Sequence, residues 1–250
     1  MELIVLGAGP AYTDRPGAFG AAYLLRHADA SLLLELGQGL FPSLMGELEP
    51  SDLQGIVVSH LHPDHFIDLV PLRHYLRYEW HPPRHVRVTG PGDLNRRLDA
   101  LHDEPEWAEC VLDLDPLAEG ERTIGPFRLE SRRVTHTADS YGFRVTIDGQ
   151  PSGPALVYSG DCGKAGDLLR LVRPGDLLLT EIGWGAGPAP VGGVHLDGHS
   201  IAAMAAEARP SRILLTHIQM GYDLDEALAS VRNGYPGDVS FVWPGDRFTV

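Results

Sequence analysis

The sequence predicts an α/β fold, because short apolar segments of strand length outnumber amphipathic segments of helix length and the two kinds are interspersed along the chain. The apolar segments are bounded by Gly, Pro or Asp, which favour turns. The 250 residues are 43% hydrophobic, which is enough to bury a sizeable core. Since the sequence shows neither an internal repeat nor a long linker, we expect a single domain over residues 1–250.

The first half of the chain contains five predicted strands and two predicted helices. The strands are predicted over residues 2–6, 21–26, 31–35, 55–58 and 86–89, and one helix over residues 93–102. We expect the other helix to begin at Asp68, which is a favourable N-cap residue, because Leu69, Leu72 and Leu76 then line one face.

The second half of the chain has the same alternation. Strands are predicted over residues 122–134, 142–147, 155–158, 177–181, 212–216 and 239–242, and helices over residues 167–171, 201–208 and 223–231. Segment 183–194, which is rich in Gly and Pro, is predicted to be a loop at the carboxyl end of a strand. Substrate contacts are common in such loops, and a plain surface loop is the alternative.

The charge of the chain limits its binding partners. With 20 Lys and Arg against 34 Asp and Glu, the net charge is −14, which argues against nonspecific binding of long polyanions such as nucleic acids. The sequence predicts neither a membrane span nor a signal peptide. Cys110 and Cys162 are too few for a disulfide framework, so we expect a cytoplasmic location.

Four side chains that can bind metals occur within six residues, directly after an apolar strand: His60, His62, Asp64 and His65. In an extended segment, residues two apart point the same way, so His60 and His62 can bind one cation. The chain turns after Pro63 and directs the other two side chains to a second point. Neutral imidazoles with a carboxylate suit zinc and, less selectively, manganese or iron. A solvated polar turn is the alternative.

Three further residues with metal-binding side chains come immediately after later apolar segments. They are His136, Asp161 and His217. Residues at the ends of strands lie at the rim of a sheet, where their side chains can converge. Each one alone would more often be an ordinary loop residue, but together with the first cluster they predict a site for two metals.

The pattern His60-x-His62-x-Asp64-His65, followed by His136, Asp161 and His217, resembles that of the metallo-β-lactamase fold hydrolases. Glycine turns at residues 6–9 and 36–39 extend the resemblance over essentially the whole chain. It implies an αββα sandwich, in which two mixed β-sheets are flanked by helices and two metals bind at one edge. It also implies that His60, His62 and His136 hold the first metal, that Asp64, His65 and His217 hold the second, and that Asp161 bridges them.

Segment 135–144 looks like the branch of this family that contains ribonuclease Z and small phosphodiesterases. His195, which precedes His217 by 217 − 195 = 22 residues, matches an accessory histidine of that branch. Ribonuclease Z carries a long tRNA-clamping arm between the residues that match His136 and Asp161, but here the gap is only 161 − 136 = 25 residues. The aspartate usual in the turn of the second strand is replaced by Glu35, and we expect this to change a structural hydrogen bond rather than the chemistry.

These observations predict a hydrolase whose nucleophile is a water activated by two metals. Two divalent cations contribute about +4 and the Asp64 and Asp161 carboxylates −2, so the site attracts a phosphodiester despite the acidic chain. The predicted catalytic residues are Asp64, as part of the metal site, and His195, as proton donor to the leaving oxygen. A packing role is the alternative for His195, and Glu181 can orient its ring.

Other polar residues are open to two interpretations. Arg73 and Arg77 lie among aromatic residues and can line a pocket for a base or phosphate, but packing with solvated guanidinium groups is favoured. His199 is either a substrate contact or, as we favour, a solvated residue in the first turn of a helix. Cys162 is expected to be a small buried residue rather than a ligand.

The expected substrate is a small phosphodiester, of the cyclic-nucleotide or short-oligonucleotide class, rather than tRNA. A membrane is not expected as a partner. A lactonase or thioesterase is one alternative. A non-hydrolytic binding or carrier protein on the same fold is another, although the complete ligand set argues against it. The oligomeric state is left open, with a homodimer as one alternative.

Overall fold

The chain forms two seven-stranded β-sheets, described by a computed structural model that covers residues 1–150 and 153–250. The strands are β1 (Glu2–Ala8), β2 (Ala21–His27), β3 (Ala30–Leu34), β4 (Gly55–Val57), β5 (Val86–Gly90), β6 (Leu112–Pro116), β7 (Gly120–Ile124), β8 (Phe127–Arg133), β9 (Tyr141–Ile147), β10 (Leu156–Tyr158), β11 (Leu177–Glu181), β12 (Arg212–Thr216), β13 (Asp238–Phe241) and β14 (Arg247–Thr249). The α-helices are α1 (Phe41–Glu47), α2 (Pro63–Phe66), α3 (Leu69–Tyr78), α4 (Leu94–His102), α5 (Gly198–Ala208) and α6 (Leu224–Arg232), and short 3₁₀ helices cover Pro50–Asp52 and Ala165–Arg170.

Both sheets are mixed. The first has the order β14-β1-β2-β3-β4-β5-β6 and the second the order β13-β12-β11-β10-β9-β8-β7. Strands β3 to β6 are parallel to one another, as are strands β10 to β13, and the remaining pairs are antiparallel. This arrangement confirms the predicted αββα sandwich. In the described ranges, no helix has the length and apolar character needed to cross a bilayer.

The core consists of one apolar layer between the sheets and one under each set of helices. Strand β2 is apolar from Ala21 to Leu25 because both of its faces are buried there: Leu24 packs under the helices, whereas Tyr23 and Leu25 pack between the sheets. The Tyr23 ring lies 5.1 Å from that of Tyr158 on the opposite sheet. Burial on both faces holds the carboxyl ends of the parallel strands of both sheets in fixed positions.

Most predicted elements are present, and several boundaries differ. The predicted strand 122–134 is wrong as a single strand, because a turn at Gly125 and Pro126 divides it into the antiparallel strands β7 and β8. Gly125 has a φ of +55°, a conformation that favours glycine. The predicted helix at residues 167–171 is a 3₁₀ helix, and α1, α2, β6 and β14 were not predicted.

Asp68 precedes α3, as predicted, but its carboxylate caps a different helix. Its Oδ2 accepts hydrogen bonds from the backbone N–H groups of Leu40, at 2.6 Å, and Phe41, at 2.8 Å, where α1 begins. The backbone N–H of Asp68 in turn donates to the carbonyl of Leu36. Asp68 therefore fastens α1 to the segment that carries Asp64 and His65.

We expect Asp68→Ala to lower the free energy of unfolding by about 1–2 kcal/mol, because two N–H groups at the start of α1 lose their acceptor. Urea denaturation followed by circular dichroism would measure the change. Asp93→Ala is the matched control, since Asp93 precedes α4 and its side chain pairs with Arg96 at the surface instead. Equal effects of the two substitutions would contradict the capping role.

Candidate metal centre

The structure brings all seven predicted ligand side chains together at one edge of the sandwich. His60, His62, Asp64 and His65 follow β4, His136 follows β8, Asp161 follows β10, and His217 follows β12. His136, Asp161 and His217, which were predicted to converge at the rim of the sheets, thus lie next to the first cluster. Two groups of four share Asp161, and within each group the ligand atoms lie within 4.8 Å of one another.

The first group comprises His60, His62, His136 and Asp161. His62 Nδ1 lies 3.0 Å from His60 Nε2 and 3.1 Å from His136 Nε2. Asp161 Oδ2 is 3.6 Å from both of these Nε2 atoms. Ligand atoms around a tetrahedral zinc ion are separated by roughly 3.3–3.4 Å, given bonds of 2.0–2.1 Å. The four side chains thus have the spacing of a tetrahedral site.

The second group comprises Asp64, His65, Asp161 and His217. His217 Nε2 lies 3.1 Å from Asp64 Oδ2 and 3.4 Å from Asp161 Oδ2. His65 Nε2 lies 3.4 Å from Asp64 Oδ2 and 3.5 Å from Asp161 Oδ1. Because the Asp161 carboxylate faces both groups, its position matches that of a bridging ligand.

Unpaired polar atoms test whether these residues fit divalent cations. In the described part of the chain, Asp64 Oδ1, Asp161 Oδ1 and His65 Nε2 are buried without a hydrogen-bond partner. Leaving a buried polar atom unpaired costs about 1–3 kcal/mol, and more for a charged group. Imidazole and carboxylate ligands suit zinc, and cations bound here would satisfy these atoms. The residues therefore fit a pair of divalent metals.

Burial sets the protonation of the first group. It lowers the pKa values of His60, His62 and His136, which keeps these imidazoles neutral. Neutral imidazole is the form that binds a metal. Three neutral rings with their ligand atoms within 4.8 Å of one another can bind one cation.

The two aspartates stay ionised. Burial raises the pKa of Asp161, but the charges of His217 and His65 outweigh it and hold the pKa well below the usual range. For Asp64, burial is outweighed by hydrogen bonds from His217 and His65, and its pKa is also lowered. The centre thus offers two negative charges to a bound cation.

Hydrogen bonds from outside the two groups fix the orientation of the ligand rings. His136 Nδ1 donates to the backbone carbonyl of Val194 at 2.7 Å, so its Nε2 faces the other ligands. The Oγ of Ser59 lies 3.1 Å from His60 Nδ1. Glu35 accepts from the backbone N–H of Ser59 at 3.1 Å, and its Oε1 is 3.6 Å from His65 Nδ1. Glu35 thus makes a hydrogen bond that holds Ser59, the residue before His60.

His195 lies beside the two groups, in contact with Glu181. Its Nδ1 is 3.2 Å from Glu181 Oε1 and 3.9 Å from Asp161 Oδ2, and its ring stacks on that of His217 with centroids 5.5 Å apart. Burial lowers the pKa of His195, but the hydrogen bond to Glu181 outweighs it and raises the pKa. The contact with Glu181 therefore favours the protonated form of His195 beside the candidate metal centre.

Glu181 is a buried carboxylate that orders this side of the centre. Besides His195, it accepts hydrogen bonds from the backbone N–H groups of Cys162 and Leu196, each at 3.0 Å, and of Gly183 at 2.6 Å. It thereby connects the loop that follows Asp161 with the segment that carries His195. Glu181 thus contacts the His195 ring, the position from which the sequence analysis expected it to orient that ring.

The other candidate residues lie away from the two groups. Arg73 is buried, with Nε donating to the Trp107 carbonyl at 2.9 Å and the guanidinium 4.3 Å from the Trp107 ring, so its guanidinium packs in the interior and is not solvated as we favoured. Arg77 is half-buried on α3. His199 is exposed in the first turn of α5, and Cys162 is buried with its Sγ near the Lys164 carbonyl.

Two contacts near the centre were not predicted. Arg15 donates to the carbonyls of Ile218 and Tyr222, at 3.4 and 2.9 Å, and so fastens the segment after His217. The Val194 carbonyl orients His136. A contact made by a backbone carbonyl does not depend on the residue type, so no sequence pattern indicates it. Arg15 is more than 200 residues from its partners, so no local pattern indicates that contact either.

The family model described as Beta-lactamase superfamily domain matches residues 29–218 of the chain. An uncharacterised protein of Mycobacterium leprae is 32% identical, with 100% of this chain and 89% of that protein covered. Ribonuclease Z of Salinispora arenicola is 28% identical, with 95% of this chain and 92% of that protein covered. The crystal structure of the metallo-β-lactamase fold protein YhfI from Bacillus subtilis superposes with a TM-score of 0.85 at 21% identity, covering 99% of this chain and 98% of YhfI.

Proposed function

Since the chain belongs to the β-lactamase superfamily, we propose that it is a metal-dependent hydrolase acting on small phosphodiesters. The observation that carries this proposal is the pair of ligand groups sharing Asp161, with the Glu181-bound ring of His195 beside them. The similarity to ribonuclease Z, whose name describes cleavage of RNA phosphodiesters, supports the phosphodiester class.

The metals would be held as the two groups indicate. His60, His62 and His136 would bind the first, Asp64, His65 and His217 the second, and Asp161 both. Zinc suits these donors, with manganese and iron as alternatives. When bound, the two ions would activate a water and neutralise charge on the phosphoryl group.

His195 supplies what hydrolysis of a diester needs besides the metals. When the water oxygen bonds to phosphorus and the bond to the leaving oxygen breaks, that oxygen needs a proton unless it is a very weak base. Glu181 holds Nδ1 of His195 and raises its pKa, which favours the protonated ring, in which Nε2 is the free donor. Asp64 acts as a ligand, and its negative charge balances part of the positive charge of the centre.

Charge and chain length favour small substrates over tRNA. The net charge of −14 opposes binding of a long polyanion. The 25 residues from His136 to Asp161 include β9 and β10, which leaves little chain for a clamping arm. A cyclic nucleotide or a short oligonucleotide carries few phosphates and meets less repulsion.

We expect zinc- or manganese-loaded protein to cleave bis(p-nitrophenyl) phosphate about tenfold or more faster than p-nitrophenyl phosphate. The dianionic monoester has a different charge and leaving geometry from the singly charged diester. Asp161→Ala protein purified in the same way is the control for a contaminating phosphatase, which would be present in both samples. Efficient turnover of lactones or thioesters without turnover of diesters would contradict the proposal and favour a carbonyl-ester hydrolase.

A further inference from the structure

The loop over residues 183–194, which we name the strap, ends at the metal centre. Its last residue, Val194, accepts the hydrogen bond from His136 Nδ1, and the next residue is His195. We propose that order in the strap and metal binding at the His60–His62–His136 group are energetically coupled, with Asp197 as the positioning residue that holds the strap. The inference rests on the metal site of the proposed function and not on the identity of the substrate.

The carboxyl end of the strap packs directly on the backbone next to two ligands. A Cβ atom added at Gly163, two residues after Asp161, would lie 2.7 Å from the Gly193 carbonyl oxygen and 2.9 Å from Val194 Cα. The N–H of Gly163 donates to the carbonyl of Thr135, the residue before His136. Backbones this close leave no room for Val194 to move independently of the segments that carry His136 and Asp161.

The rest of the strap is held by a few hydrogen bonds. Trp184 donates to the Leu196 carbonyl at 2.9 Å, and Gly198 donates to the Gly185 carbonyl at 2.8 Å. Farther out, the N–H of Ala189 donates to Asp197 Oδ2 at 2.9 Å. The side chain of Val191 is fully exposed at the outer end of the strap. Residues 187–192 are mostly exposed, and such segments open at low free-energy cost, so the Asp197 bond has a large share in ordering this outer part of the strap.

Order in the strap and metal binding are coupled through Val194, because this residue belongs to the strap and its carbonyl also orients the His136 ring. A ring that loses its outer hydrogen bond loses its fixed orientation, and such losses typically cost 10–100-fold in metal affinity. A metal that fixes the His136 ring fixes Val194 in turn, because linkage between two processes is reciprocal. Metal binding therefore also stabilises the backbone that places His195.

The two oxygens of Asp197 have separate functions, which allows them to be tested separately. Oδ1 accepts from the N–H of Ser200 at 2.8 Å and caps α5, whereas Oδ2 accepts from Ala189. Asparagine is as good an N-cap as aspartate, so Asp197→Asn can keep the cap. Its amide NH₂ would then face the Ala189 N–H, and the strap bond would be lost. Asp223→Asn is the matched control, because Asp223 caps α6 through Glu226 and makes no bond to the strap in the described residues.

The experiment measures amide hydrogen exchange of residues 184–194 in metal-free and zinc-loaded protein, together with zinc affinity by competition with a chelator. We expect zinc to slow exchange of the strap in the wild type. We expect Asp197→Asn to speed exchange in the metal-free protein and to weaken zinc binding by about fivefold or more. Asp223→Asn should match the wild type in both measurements.

Unchanged strap exchange on zinc addition to the wild type would overturn the proposal without any variant. A mobile strap in Asp197→Asn combined with wild-type zinc affinity would also overturn it. Neither readout measures hydrolysis. A protein that binds zinc and orders its strap but cleaves no diester would contradict the proposed function alone.

Discussion

Asp161→Ala is expected to lose at least one divalent metal per chain and to lower kcat/KM for a diester by about 10³-fold or more. Asp161 is 2% exposed, and its carboxylate lies within 3.6 Å of ligand nitrogens in both groups. Without Asp161, the two groups hold five imidazoles and one carboxylate, so Asp64 alone balances the charge of the two cations. Metal analysis by inductively coupled plasma mass spectrometry, with kinetics on the same samples, would measure both effects.

The neighbouring residue provides a control for Asp161→Ala. Cys162 is also buried, but its Sγ contacts the Lys164 carbonyl rather than the ligand groups. Cys162→Ala should therefore retain the metal content and most of the activity. Full metal occupancy together with full activity in Asp161→Ala would exclude a bridging role.

His195→Ala is expected to retain its metals and to lower kcat by about 10²–10⁴-fold for diesters with poor leaving groups. The alkoxide of a poor leaving group needs the proton that His195 carries, whereas nitrophenolate leaves without it. Diesters with nitrophenolate leaving groups should thus lose far less activity. A plot of rate against the pKa of the leaving group, for both proteins, would measure the difference in slope.

The slope distinguishes three roles for His195. Loss of a metal ligand would slow all substrates and release metal, and loss of a packing residue would lower stability without any dependence on the leaving group. His199→Ala is the control, because His199 is exposed in the first turn of α5, four residues after His195. Equal slopes for wild type and His195→Ala would show that His195 is not the acid.

The sequence predicts the fold best where local pattern and burial agree. Strands β11 and β12 have the predicted boundaries because each is a largely apolar run among the parallel strands of its sheet, buried along nearly its whole length. Helix α1 has no such local signal, since the carboxylate at its start comes from Asp68 in another segment. The segment predicted as one strand over residues 122–134 contains Gly125-Pro126, a dipeptide that favours a turn, so the sequence itself indicates where this strand is divided.

In the candidate site, too, some features are predictable from the local sequence and others are not. The residue types that bind metals, and their places after apolar segments, are properties of the sequence, so the seven candidate ligands are predictable from it. The contacts that orient them come largely from elsewhere in the chain. Val194 is 58 residues from His136 and acts through its backbone, and the Glu35 carboxylate reaches Ser59 across two parallel strands. Such contacts depend on the packed fold rather than on any local pattern.

The position of β14 beside β1 has a consequence for the folding rate. In this pair Glu2 lies opposite Thr249, so closing it joins residues 249 − 2 = 247 positions apart. Loop-closure entropy makes this roughly 3 kcal/mol more costly than closing a ten-residue hairpin. Pairings of such long range form slowly, and until β14 docks, the outer edge of β1 has unpaired N–H and C=O groups. We therefore expect refolding at high protein concentration to lose material to intermolecular strand pairing at this edge, and lower concentration to restore the yield.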